Sequence, residues 1–496
     1  MRHRALSLQQ VHLRINDAAT GKPTPVRLRI TGADGAYFAP FGRLTEFATG
    51  VNQDVGGNVM IGAKRWAYID GTCEILLPPG ELHVEISKGP EFKPIDEKVT
   101  LLAGKMSLRF TIERWIDMRK LGWHSGDTRV HYLSPDAALL EGQAEDVAVV
   151  NLLVRETSII DSFGKTQRAV PIILSFSGQS FARSSEQCGV AVNTQNVHPQ
   201  LGSLGLLHCH RVVYPLAFGD EEWTLHDWCG QCHRKKGLVV WTEPQHQTSD
   251  FLYGEPLADL ILGGIDAFEL SFYEDSPFDA LADYYRILNA GLSPALAGAS
   301  GKSSNGEYLG SMRTFAWLGS DECAYTNWID AVRAGQTFVT NGPLIDMTIN
   351  GERNFGRCDA SALRIRAAVK SMRPIDHIEL IWNGELVATA PFDTGTMEGV
   401  LEHEFTPTTS GWFAMRCRGD ALVASRPAPQ RLFAHTSPVV VDNPGKANPK
   451  AAGARAELKK ELENMKRWAE KKKMPRLLHV IGEAIAALSV NQQSAI

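Results

Sequence analysis

The sequence predicts an α/β barrel flanked by two small β-sandwiches and closed by a helical tail. Three observations predict it. Short runs of alternating apolar and polar residues occupy both ends of the first 441 positions. Between them, apolar runs alternate with helical patterns. After residue 442 a basic segment carries an apolar stripe at helical spacing. The implied boundaries are 1–115, 116–341, 342–441 and 442–496.

The first sandwich rests on period-two alternation, which puts Val11, Leu13 and Ile15, then Val26, Leu28 and Ile30, on buried faces. A polar turn, Asp17-Ala-Ala-Thr-Gly-Lys-Pro23, separates them. Leu108, Phe110 and Ile112 repeat the pattern later. Residues 147–154 form a continuous apolar run, as expected of a strand buried on both faces. Thr224 reads as the N-cap of a helix that Gly237 stops. Residues 238–241 form another buried strand, 255–263 a helix, 265–271 a strand and 278–290 a helix ending at Gly291. Such alternation argues for βα units, whose ligands sit at the C-terminal ends of strands. After Thr340-Asn341-Gly342-Pro343 the alternation returns in Ile345, Met347 and Ile349. Asn383-Gly384 between two strand-like runs predicts a type I′ hairpin. In the tail, Leu458, Leu462, Met465 and Ala469 make one helical stripe; Pro475 interrupts it, and Leu477, Ile481, Ile485 and Leu488 form a second. Docking of this helix on its own chain, or on a second copy to give a homo-oligomer, is the expectation.

Composition narrows the function. The chain has 496 residues, 51 Lys+Arg against 56 Asp+Glu, and 44% hydrophobic residues. That charge balance excludes a protein living on nucleic-acid phosphates. No apolar run approaches the ~18 residues a membrane helix needs. The first residues show no secretory leader, and eight cysteines are too sparse for a disulfide framework, so a cytoplasmic location with reduced thiols is expected.

The densest chemistry lies in Gly122-Trp-His-Ser-Gly-Asp-Thr-Arg-Val-His131. Asp127 and His131 form a carboxylate–imidazole pair suited to Zn, Mn or Fe. His208 and His210, at i and i+2, would share one face of a strand. Two motifs invite over-reading. Trp228-Cys-Gly-Gln-Cys232 has thioredoxin-like spacing but falls inside an amphipathic helix, where cysteines act as small hydrophobes. Gly298-Ala-Ser-Gly-Lys-Ser-Ser304 lacks the spacing of a phosphate-binding loop.

Gly126-Asp-Thr-Arg-Val-His131 resembles the Gly-Asp-Thr-His-Val-His segment of PHP-like metallohydrolases of the carbaryl-hydrolase branch, the CehA/McbA family. Leu139-Leu-Glu-Gly-Gln-Ala-Glu145, Gly237-Leu-Val-Val-Trp241, Arg313-Thr-Phe-Ala-Trp-Leu-Gly319 and Ala334-Gly-Gln-Thr-Phe-Val-Thr-Asn-Gly-Pro343 extend the resemblance over most of residues 10–440. It implies a distorted α/β barrel in which divalent metals activate water to hydrolyse an ester, carbamate or phosphoester. The sequence departs from the family where ligands are expected. Arg129 replaces the first histidine of His-x-His, Ser203 stands in a Gly-His-Leu segment, Glu243 replaces a strand-end histidine, and Gly301 replaces a late aspartate. Asp127, His131 and His198 remain. An arginine beside a dication is repelled by on the order of 8 kcal/mol at about 4 Å and an effective dielectric of ~20. Arg129 is therefore expected to fill the vacated position, paired with Asp127 or Glu243. Asp127, Arg129 and Glu243 are the catalytic candidates. A compensated metal set would draw on Asp127, His131, His198, Glu243, His208 and His210. The cofactor is a divalent metal or none. The two readings are a metal-dependent hydrolase with a remodelled site and a non-catalytic binding or assembly protein, each with a small-molecule substrate or ligand.

Overall fold

Strands account for 41% of the chain and helices for 20%, so sheet dominates more than a regular α/β barrel would require. The computed structural model describes residues 8–50, 54–160, 166–169, 175–216, 223–244, 251–271, 277–423 and 429–490.

The N-terminal region packs a three-stranded sheet against a larger one. Gln9–Asp17 lies between Thr72–Leu77 and Ser107–Ile112. Val26–Gly32 pairs with Lys64–Ile69 and Gly80–Ser87 in the second sheet. The alternating residues Val11, Leu13, Ile15, Val26, Leu28 and Ile30 meet in one core, with polar neighbours facing outward.

The central sheet curls into a half-barrel. Trp123–Val130 pairs in parallel with Val149–Val154, which pairs in parallel with Gly189–His198. Gly202–Leu207 runs back antiparallel and joins Leu238–Thr242. Ala267–Ser271 and Ala295–Ala299 follow in parallel. Side-chain hydroxyls then close the curl: Thr128 donates to the Gly298 carbonyl at 3.1 Å, and the Gly298 N–H donates to Thr314 at 2.7 Å. Helices Pro135–Ala144, Leu225–Arg234, Pro256–Ile261, Pro277–Asn289 and Tyr325–Arg333 connect the strands. Thr224 and Asp227 cap the second of these reciprocally. Gly126 is required by packing, because a Cβ there would meet the Trp328 ring at 2.3 Å.

The ladder does not stop at residue 342. Thr337–Thr340 pairs with Arg313–Trp317 on one side and with Gln430–Thr436 on the other. One sheet thus runs from the half-barrel into the C-terminal β region. There a second layer, Leu344–Ile349, Leu363–Lys370 and Glu398–Phe405, covers the core of Ile345, Ile365, Ile378, Phe413 and Met415. His377–Trp382 and Glu385–Pro391 form the expected hairpin, with Asn383 at φ 50° and Gly384 at φ 83° as a type I′ turn demands.

The tail forms Ala451–Lys472 and Pro475–Val490, broken where Lys473 adopts a left-handed conformation before Met474-Pro475. Its stripe packs on its own chain: Leu458, Leu462, Met465, Leu477 and Ile481 share a core with Trp228, Trp241 and Tyr284. The apolar stripe that suggested a homo-oligomer is therefore covered within one chain. Among the described residues no helix is long and apolar enough to cross a membrane.

Candidate functional site

Six strands of the half-barrel run in one direction, since two successive antiparallel pairings restore the first direction at Leu238–Thr242. Their C-terminal ends bring together Asp127, Arg129, His131, Glu243, Glu269 and Ser300.

A bulge shapes the centre. Asp127 pairs with Val150 but Val130 pairs with Leu152, so one strand carries an extra residue. Simple alternation from Asp127 to His131 is lost there. The Arg129 guanidinium crosses to the ends of two other strands. Its Nε and Nη2 lie 2.9 and 2.8 Å from Glu269 Oε1, and its Nη1 donates to Glu243 Oε1 at 2.9 Å. Arg129 is 1% exposed and Glu269 0%, whereas Glu243 is 42% exposed. The planar fork of arginine suits this double engagement. Glu243 sits just past its strand at φ 53°, a left-handed conformation costing about 1–2 kcal/mol for a residue with a Cβ. Burial pushes the Glu269 carboxyl up to about 7, although Arg129 pulls it down. Its Oε2 is buried with no hydrogen-bond partner among the described residues.

Asp127 does not pair with the Arg129 guanidinium. Its carboxylate accepts the N–H groups of Arg129 at 3.2 Å, Ser300 at 3.1 Å and Gly310 at 2.8 Å, and the Ser300 hydroxyl. Burial raises its pKa, and these hydrogen bonds act against that rise. The four bonds use the roughly four acceptor positions of a carboxylate. His131 behaves differently. Its Nδ1 donates to the Leu153 carbonyl at 2.8 Å, and burial holds its pKa well below the usual range. Its Nε2 is buried and has no partner among the described residues.

The polar lining continues through Ser203, whose hydroxyl lies 2.8 Å from the Thr242 hydroxyl and 3.4 Å from Glu243 Oε2. Gln195 reaches Thr242 at 3.2 Å. His198 caps a turn, its Nδ1 accepting from the N–H groups of Gln200 and Leu201. His208 and His210 are not part of this cluster. Gly202–Leu207 runs opposite to its neighbours, so its end lies beside Leu238 while Ser203 lies beside Thr242. His208 instead meets Thr326 at 3.0 Å, and His210 is exposed against the Lys235 carbonyl. Beside Gly301, Lys302 is fully buried and binds Asp54 at 2.8 Å and the carbonyls of Ser304 and Glu307. It pins the loop that presents Ser300 to Asp127.

Among the described residues the side chains gathered here do not complete a ligand set for a divalent metal, although His131 Nε2 is left unpartnered. Asp127 has its acceptor positions filled, Glu243 and Glu269 hold a permanent cation, and two of the candidate histidines lie at the far end of the sheet. Among the described residues no group of three or more His, Cys, Asp or Glu side chains is placed to hold a metal ion. Sequence reasoning missed Glu269 and Ser300. The signal for Glu269 was a charged residue inside the otherwise apolar Ala267-Phe268-Glu269-Leu270.

No protein-family model and no curated protein matches the sequence. Among solved structures, the chain is similar to PsfC from Pseudomonas syringae PB-5123, with 14% identity and a TM-score of 0.29, over 44% of this chain and 90% of that one.

Proposed function

We propose that this chain derives from PHP-like metallohydrolases of the CehA/McbA type and acts as a non-catalytic binding or assembly protein. In this reading the half-barrel is a distorted PHP-type α/β barrel, and a guanidinium–carboxylate cluster replaces the metal centre. The observation that carries the proposal is Arg129, 1% exposed and bonded to both Glu243 and Glu269. A buried guanidinium needs such partners. Held between them, it occupies the position a metal would otherwise take and brings no bound water to activate. Elemental analysis of full-length protein purified in metal-free buffer should find well under one equivalent of Zn, Mn or Fe. A chelator should leave its melting temperature unchanged.

A second reading, a metal-dependent hydrolase with a remodelled site, is favoured by His131. Its Nδ1 donates to a carbonyl while its neutral Nε2 is buried and unpartnered, as in a metal-ligating imidazole. Stoichiometric metal that is lost on His131→Ala substitution would establish that reading and overturn the first.

A further inference from the structure

A cleft of about 690 Å³ opens where the N-terminal β region, residues 308–313 and the C-terminal β region meet. Arg129, Glu243 and Glu269 do not line it. Its walls carry four cations, Arg27, Lys64, Arg313 and Arg373, and three carboxylates, Glu85, Asp96 and Glu145. All three carboxylates are already engaged. Glu145 pairs with Arg27, Glu85 with Arg29 and Lys64, and Asp96 with His83.

Among the described residues two of these arginines make no ion pair, although the Glu145 carboxylate, bonded to Arg27, also feels the charge of Arg313. Arg313 gives its Nε to the Gly310 carbonyl at 2.8 Å and its Nη1 to the Glu145 carbonyl at 3.0 Å. Arg313 is 4% exposed, and its Nη2 has no hydrogen-bond partner among the described residues. Among the described residues the Arg373 guanidinium bonds the Leu422 carbonyl alone. The Tyr308 hydroxyl likewise has no hydrogen-bond partner among the described residues, and Tyr308 is half-buried. Tyr308, Arg313 and Arg373 line this one cleft together with the Arg27–Glu145 pair. Beside them stand apolar and aromatic surfaces: Trp66, Ile61, Phe92, Val423 and Leu432. Trp66 is 9% exposed, and its indole N–H has no partner among the described residues. Uncommitted donors next to an apolar wall, in a cavity of this size, are the pattern of a small-molecule site.

We infer that this cleft binds a small organic anion, with its carboxylate or phosphate held by Arg313, Arg373 and Tyr308 and its apolar body against Trp66 and Phe92. This site is independent of the function proposed for the Arg129 cluster.

Isothermal titration of the full-length protein with phenyl phosphate tests it, with benzoate, inorganic phosphate and phenol as separate arms. Saturable binding of phenyl phosphate or benzoate is expected, and the tighter of the two identifies the head group. Inorganic phosphate and phenol should each bind about tenfold more weakly or worse. Arg373→Gln, at an exposed position, and Tyr308→Phe should each weaken binding severalfold with the melting temperature unchanged. The inference is overturned if neither aromatic anion binds at millimolar concentration, or if both variants bind like the parent. It is overturned equally if inorganic phosphate binds as tightly as phenyl phosphate.

Discussion

Replacing Arg129 with methionine tests how the central cluster is held. Methionine keeps an unbranched apolar stem and removes the guanidinium charge. Glu269, 0% exposed, loses the group that contacts its Oε1 twice. Removing one partner of a buried ion pair costs about 3–5 kcal/mol. For domains of this size that corresponds to a fall in melting temperature of roughly 6–20 °C. Glu269 can reduce the cost by taking up a proton. Its carboxyl already stands at about 7 in the intact protein because burial outweighs Arg129. Without Arg129 it moves higher still. A group whose folded pKa is raised gives stability that is complete below its unfolded value and lost as pH rises through the folded one. The Arg129→Met penalty should therefore be larger near pH 8 than near pH 5.5, where Glu269 is protonated in both proteins, by up to about 1.4 kcal/mol. Replacing both partners, Arg129→Met with Glu269→Leu, should recover most of the loss, since it leaves no buried charge behind. Differential scanning fluorimetry at the two pH values measures all of this. The reasoning is refuted if Arg129→Met melts within a degree or two of the parent near pH 8. It is also refuted if the penalty does not change with pH, or if the double variant is no better than the single one.

Glu269→Gln removes a titrating group whose folded pKa is raised from the ordinary 4.5 to about 7. The stability of the variant relative to the parent should climb between about pH 4.5 and 7 by on the order of 3 kcal/mol and then level off; a flat difference would contradict the raised carboxyl. Cys229 and Cys232 are buried inside a helix, and burial pushes both thiols well above their ordinary range. Both should react slowly with a thiol reagent in the native protein and fast in denaturant, and rapid native labelling would revive a redox or zinc role. Leu462 is fully buried between tail and half-barrel, so Leu462→Ala should cost about 2–5 kcal/mol, read as a lower melting temperature; no change would mean that the tail is not docked.

Local signals carried much of this structure. The alternation of Val11, Leu13 and Ile15, the Asn383-Gly384 turn, the Thr224 cap and the stripe from Leu458 to Ala469 each depend on neighbours a few positions away. So does the placement of Arg129 at a strand end. What escaped depends on pairing. Glu269 meets Arg129 across 140 positions, and no periodicity reports which strand ends become neighbours. The bulge between Asp127 and Val130 is a matter of register, which the sequence of one strand does not report. The direction of Gly202–Leu207 is equally silent in an apolar run. His208 and His210 therefore joined the candidate ligands, although the reversed strand carries them to the opposite end of the sheet.

The strand Thr337–Thr340 has a partner on each side, one in the half-barrel and one in the C-terminal region. A chain ended at residue 341, where the sequence pattern changes, would keep the first partner and lose the second. Phe338 and Val339, fully buried in the whole protein, would then belong to a bare edge with open N–H and C=O groups, the kind of surface that recruits strands from other molecules. The half-barrel without its successor should self-associate rather than stand alone. The smallest unit that evolution or an experimenter can move intact is the shared sheet, not the segment its sequence pattern outlines.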